Sequence, residues 1–319
     1  MTSSSILAAT VRSSLEETFH EGAVAVVAAD GSLVAHSGEI DRPFYLRSSA
    51  KPFQAFISQE TGAALEPLEL AIASASHRGH PVHIELARSV LEKAGLDESV
   101  LRCPLDWPLG VDAMRRLIRA GHSRPRRLWH NCSGKHAGFL RACVAQGWPI
   151  ESYLSPDHPL QRRIVDYVSD LGGRRVEPVG VDGCGAPVMR TTVRVMALLF
   201  ARLATEPSLR EVFTAMHRYP AIVGANGEGD STIATAIHAA AKGGAQGCLG
   251  IAIEGRLGVA IKSWDGLNRM ADIGAIAALD QLGELTATAR STLDGIGRPV
   301  VVGGEKPVGH IEPRLVLQR

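Results

Sequence analysis

The 319-residue sequence contains no apolar run of about 18 residues that could span a bilayer. Its opening, MTSSSILAATVRSSLEETF, lacks the basic segment and long apolar core of a secretory signal. No membrane partner is expected, and the cytoplasm is the expected compartment. An excess of charge is missing too: 34 Lys and Arg face 33 Asp and Glu, a formal net charge of +1. A nucleic acid or an anionic surface would call for a concentrated basic patch. The most basic segment, RPRRLWH at 124–130, is short and reads as a solvated loop. Cysteine is scarce. Five residues (103, 132, 143, 184 and 248), odd in number and irregularly spaced, exclude a disulfide framework. A conspicuous cysteine here is therefore a ligand, a nucleophile or a small core residue. Repeats, low-complexity tracts and Pro/Gly/Ser-rich linkers are absent. So is any Gly-x-Gly-x-x-Gly or Walker-type loop in a suitable setting, which argues against nucleotide binding.

What is present is patterned. EGAVAVVAADGSLVAHSGE (21–39) is two β-rich runs around Asp30-Gly31, a hairpin signal. CLGIAIEGRLGVAIKSWDG (248–266) repeats the logic with Glu254-Gly255-Arg256 at the turn. Between them the pattern is helical at 68–76, 82–95, 158–173 and 191–204, followed by a helix at 267–283 and a strand at 298–304. The expected architecture is an α/β chain of α+β type: an antiparallel sheet built from both termini and covered by helices. It reads as a single domain over 1–319 with a central helical part at about 65–215.

Three stretches carry reactive side chains. RSSAKPF (47–53) holds Ser48 and Lys51 three residues apart at the start of an expected helix. On one helix face a desolvated lysine can take the serine proton, as in penicillin-recognising enzymes. VAIKSWDG (259–266) ends a β-run with Lys262, placed like the second lysine of those enzymes or as a strand-end lysine reaching solvent. HNCSGKHAGFL (130–140) and GVDGCGAPV (180–188) offer Cys132, Lys135 and Cys184, either small core residues or a soft, zinc-type ligand set. Gly134, Gly183 and Gly185 would allow close backbone approach there. His77, His80 and His83 lie around Gly79 and Pro81 and read as a polar loop. Cys103, Cys143 and Cys248 read as core.

Taken in order, RSSAKPFQ, NCSGKHAGFL, HPLQ, VDGCGAP, KGGAQG and AIKSWDG resemble the rhizobial-type (class 3) L-asparaginases of the asparaginase II family, from about Gly22 to about Leu282. The resemblance implies a serine β-lactamase/glutaminase-like fold, a homodimer and hydrolysis of L-asparagine to L-aspartate and ammonia. It implies Ser48 as nucleophile, Lys51 as its proton acceptor and Lys262 as the lysine of a second Ser–Lys pair. Cys132, Lys135 and Cys184 become zinc ligands. Asp182 lies beside them, and Arg47, Asn131 and His136 line a pocket for a small amide. The chain departs from the pattern in SHRGH, where Arg78 replaces an expected serine. It departs again at Gln246, where glutamate is expected, and at Asp230, where arginine is expected. These changes fit retuned recognition, acyl transfer in place of hydrolysis, or a non-catalytic amino-acid-binding protein.

Overall fold

A computed structural model of the chain describes residues 5–177 and 179–319. The chain forms two compact units. The first comprises the described part of Met1–Ser49 with Thr191–Pro207 and Gly227–Arg319. The second comprises Ala50–Arg190 and Ser208–Asn226.

The first unit is built on an antiparallel sheet. Its strands run in the order Val300–Gly303, Lys306–Pro313, Ser5–Arg12, Leu15–Ala28, Leu257–Ser263, Cys248–Ile253 and Ala240–Gly244, and Leu33–Ser37 also pairs with Leu15–Ala28. Both expected hairpins form, with Val26 opposite Ala35 and Ile251 opposite Val259. The strand expected at 298–304 is followed by another, Lys306–Pro313, and the first strand, Ser5–Arg12, was not foreseen.

Strand alternation sorts the sheet's two faces. Val24, Val26, Leu249, Ile251, Val259 and Ile261 meet Ala271, Ala275 and Ala278 of the helix Asn268–Gln281. The opposite face is kept small for the helix Val193–Thr205. Gly250 leaves space that the Phe200 ring occupies, and Gly258 lies against the backbone of Ala197 and Ala201. Lys262 falls two residues beyond Ala260 on this small-residue face, at the strand's end.

The second unit is mostly helical, with Lys51–Ser58, Pro67–Ala73, Pro81–Glu92, Val111–Arg119, Ser133–Gln146, Pro159–Leu171 and Arg210–Arg218. Ser133–Gln146 is its buried centre. A methyl added at Gly134 would lie 2.7 Å from Ile72 Cγ1 and closer still to the Ile72 carbonyl oxygen. Glycine thus lets the helix Pro67–Ala73 press on the start of the central helix. A short hairpin, Val179–Val181 against Pro187–Thr191, carries the DGCG segment on its turn. Among the described residues no helix is long and apolar enough to cross a membrane.

Candidate functional site

In the first unit, a 3-10 turn, Arg47–Ala50, precedes the helix that begins at Lys51. The two serines in it differ. Ser49 is buried, and its hydroxyl donates to the Leu46 carbonyl at 2.5 Å with Met196 sulfur 3.7 Å away. Ser48, by contrast, is only partly buried. Arg47 holds a left-handed backbone (φ 50°), a conformation that costs a non-glycine residue energy and that clusters at functional sites. Gly244 permits the approach beneath: an added Cβ would lie 3.2 Å from the Ser48 nitrogen.

Lys262 is buried, and its ammonium donates to the Gln246 carbonyl at 2.6 Å and to the Ser263 carbonyl. Its nitrogen lies 5.2 Å from the Trp264 ring centre, and Arg42 stacks on the same ring at 4.3 Å. Burial holds Lys262 below the usual lysine range, opposed by Cys248 and Asp265. Gln246 occupies a left-handed conformation (φ 67°) in the turn between strands, and it is the main-chain carbonyl that meets the lysine. Asp265 accepts from Ser263 and pairs with His20 Nδ1 at 2.7 Å. Asp230 is not a loose charge. Its carboxylate accepts from Lys242 at 3.3 Å and from the Gly243 amide at 3.0 Å. Burial would raise its pKa, yet Lys242 and the amide hold it below the usual carboxylate range.

In the second unit, Lys51 is fully buried and donates to the Ala75 carbonyl at 2.6 Å and to the Ser76 hydroxyl at 2.9 Å. Ser76, the first residue of SHRGH, is thus a partner that sequence reasoning did not assign to Lys51. Of the three histidines read as a polar loop, His77 and His80 lie in irregular backbone, whereas His83 lies on the helix Pro81–Glu92. His77 is buried; its Nδ1 accepts the Gly79 amide, so Nε2–H donates to Ser133 at 2.9 Å. Burial keeps it far below the usual imidazole range. Pro81 starts a helix instead of breaking one, because proline suits the first helical turn. His83 is buried and caps that helix by accepting the His80 amide at 3.2 Å. The main-chain carbonyl of Arg78 receives the Gly110 amide at 2.9 Å.

The opening of the central helix and the DGCG turn come together. Cys132, Lys135, His136 and Cys184 are all buried. Lys135 Nζ donates to Cys184 sulfur at 3.1 Å. A hydrogen bond from the Cys132 thiol, followed by Lys135 and His136, drives Cys184 far below the usual thiol range against the opposing effect of burial. The same bond, reinforced by burial, raises Cys132. Burial would lower Lys135, but the sulfurs of Cys184 and Cys132, with Asp182, raise it. Asp182 accepts the Gly183 amide at 2.8 Å and anchors the turn through its own amide to Ala186 at 2.9 Å. The Asn131 side-chain oxygen lies 3.8 Å from Cys132 sulfur. Among the described residues no group of three or more His, Cys, Asp or Glu is arranged to hold a metal. A metal at this cluster needs the Lys135 amine, and two sulfurs with one nitrogen in a dry setting suit a borderline-soft ion such as zinc.

The expected residues divide between the units. Arg47, Ser48 and Lys262 lie in the first, and Lys51, Arg78, Asn131, Cys132, Lys135, His136, Asp182 and Cys184 in the second. Cys103, Cys143 and Cys248 are buried core residues, raised by burial to about 12, 12 and 11, and all five cysteines are free.

Amide-hydrolysing enzymes are the class this sequence matches. The match to L-asparaginase II runs over residues 8–313, and the chain belongs to that family. No curated protein matches. Similar solved structures include Mglu in its native form (17% identity, 82% of this chain, TM-score 0.49), and the chain spans only 64% of Mglu's length. A probable glutaminase, ybaS, is 15% identical over 82% of this chain and 85% of its own (TM-score 0.46). A β-lactamase from Mycobacterium bovis is 16% identical over 82% of this chain and 94% of its own (TM-score 0.47). No conclusion rests on these three likenesses.

Proposed function

We propose that the protein hydrolyses the side-chain amide of L-asparagine, or a related small carboxamide, to the acid and ammonia, as a class 3 member of its family. Ser48 is the nucleophile and Lys51 its proton acceptor. The observation that carries this is the setting of Lys51. Ala75 and Ser76 accept N–H bonds from this fully buried nitrogen, so the amine is held out of bulk water by the chain itself, as a lysine recruited to activate a nucleophile is. The Ser48 oxygen attacks the amide carbon as its proton passes to Lys51; the proton then leaves with the nitrogen as ammonia. Water cleaves the resulting acyl ester and regenerates Ser48.

Lys262 serves as the lysine of a second Ser–Lys pair. Arg47 is the partner for the substrate α-carboxylate and Asp182 for the α-ammonium, with Asn131, His136 and Arg78 among the pocket residues. Cys132, Lys135 and Cys184 would hold zinc, which when bound supplies a Lewis acid and a rigid fixture for nearby side chains. A serine β-lactamase/glutaminase-like fold, a homodimer and a cytoplasmic location complete the reading.

An ammonia-release assay over a small amide panel, with zinc measured on the same purified sample, tests it. Asparagine turnover that disappears in Ser48→Ala supports it, and full turnover in that variant removes Ser48 as nucleophile. An acyl product formed only with added amine would point to transfer, and asparagine binding without ammonia to a sensor.

A further inference from the structure

We propose that Asn268 and Asp265 are positioning residues for Lys262: each holds one of the two turns whose carbonyls receive the lysine ammonium. That Lys262 takes part in catalysis rests on the function proposed above; the positioning itself does not.

Lys262 is buried near the end of the strand Leu257–Ser263. A lysine has more rotamer freedom to lose than most side chains, so a single orientation has to be built. Two carbonyls build it. The ammonium donates to Gln246 at 2.6 Å and to Ser263, the next residue along the chain. Both carbonyls belong to turns. Gln246, with its left-handed backbone, connects the strands Ala240–Gly244 and Cys248–Ile253. Ser263 opens a turn closed by the Gly266 amide at 3.2 Å, with Gly266 at φ 81°.

A peptide group is planar, so fixing its N–H also aims its C=O. The peptide that presents the Gln246 carbonyl carries the Gly247 amide, and Asn268 Oδ1 accepts that amide at 2.8 Å. Asn268 is the first residue of the helix Asn268–Gln281, a rigid base for this anchor. The peptide that presents the Ser263 carbonyl carries the Trp264 amide, which donates to the Glu21 carbonyl at 2.9 Å. Asp265 braces this second turn. Its Oδ1 accepts the Ser263 hydroxyl behind it and the Leu267 amide ahead of it at 3.0 Å. Its Oδ2 lies 2.7 Å from Nδ1 of the buried His20, on the strand Leu15–Ala28. Burial opposes ionisation, yet the Ser263 hydroxyl, the Leu267 amide and His20 hold the carboxyl below its usual range. An ionised carboxylate only accepts, so His20 Nδ1–H is the donor, and Nε2 lies 3.2 Å from the Thr10 hydroxyl. The two turns are also joined to each other, because the Ser263 amide donates to the Gly247 carbonyl at 2.7 Å.

Two measurements test this. The first needs no activity: carbon–proton correlations on protein labelled at its six lysines, with Lys262 identified by the signal lost in Lys262→Arg. Two separate ε-proton resonances, the mark of an immobile side chain, are expected for Lys262 in wild type. They should persist in Asn268→Asp and Asp265→Asn, which keep an acceptor in place, and merge in Asn268→Ala and Asp265→Ala. Ser263→Ala, which removes only the hydroxyl link, reads the Asp265 arm again should Asp265→Ala fail to fold, and the resonances should merge there too. Resonances already merged in wild type, or still separate in the alanine variants, overturn the proposal. Resonances that merge equally in Asp265→Asn overturn its Asp265 arm, since charge and not hydrogen bonding would then hold the lysine. The second measurement is asparagine turnover. Asn268→Ala and Asp265→Ala should lower kcat about 100-fold with KM little changed, as a misplaced group does, and the conservative variants should recover most of that loss. An unchanged kcat in both alanine variants overturns the catalytic consequence. A wild-type protein that releases no ammonia removes the function reading alone, and the lysine resonances still decide the positioning.

Discussion

Lys51 Nζ lies 2.9 Å from the Ser76 hydroxyl, which makes the first residue of SHRGH a direct partner of the amine assigned as proton acceptor. Ser76→Ala removes a hydroxyl acceptor from a buried nitrogen. Stability should fall by about 1–3 kcal/mol in urea titration. Ammonia release should fall about 100-fold or more, the lower end of what positioned acid–base catalysis contributes. A stability loss with unchanged turnover would confine Ser76 to a structural role.

That partnership also marks where the sequence stopped being legible. Both hairpins, the main helices and the sheet assembled from the two ends followed from period and turn chemistry. Chemical type also singled out Cys132, Lys135 and Cys184. What period does not carry is a contact between distant segments: nothing in the spacing joins Lys51 to Ser76, His77 to Ser133 or His136 to Tyr153. His83 was placed in the loop because Pro81 looks like a loop residue, and the burial of His77 and His83 is fixed by the packing of whole helices. Asp230, which stands where arginine is expected, is the partly buried counter-ion of Lys242.

The tightest packing in the helical unit gives a prediction about stability alone. Gly134→Ala places a methyl 2.7 Å from Ile72 Cγ1 and still nearer the Ile72 carbonyl oxygen, so the helix Pro67–Ala73 must shift. A loss of about 1–3 kcal/mol is expected, typical of overpacking, although alanine is the better helix former. Chemical denaturation measures it, and a variant as stable as wild type would show that the two helices are free to separate there.

Asp230 and Lys242 make the clearest double-mutant cycle in the first unit. Lys242 is 1% exposed, and Asp230 neutralises it across 3.3 Å. Asp230→Ala alone leaves a buried ammonium without its counter-charge and should cost about 3–5 kcal/mol. Adding Lys242→Met removes that charge and should recover much of the loss. Additive effects, with the double variant as unstable as the sum of the singles, would mean that the ion pair is not the interaction being lost.

Asp272 supplies a pH dependence whose sign is fixed. Burial, aided by the nearby carboxylates of Asp230 and Glu228, raises its pKa from 3.8 to about 7. The folded protein therefore holds a proton that the unfolded chain releases at lower pH. Its contribution is fully present below about pH 4 and is lost as pH rises through about 7. Asp272→Asn keeps the shape and removes the titration, so it should match wild type near pH 4 and exceed it at pH 8, by up to about 4 kcal/mol. Urea midpoints for both proteins across pH 4–8 give the difference directly. A difference that stays constant over that range, or grows toward acid, would show that this carboxyl is ionised in the folded protein and that its neighbours do not hold the proton on it.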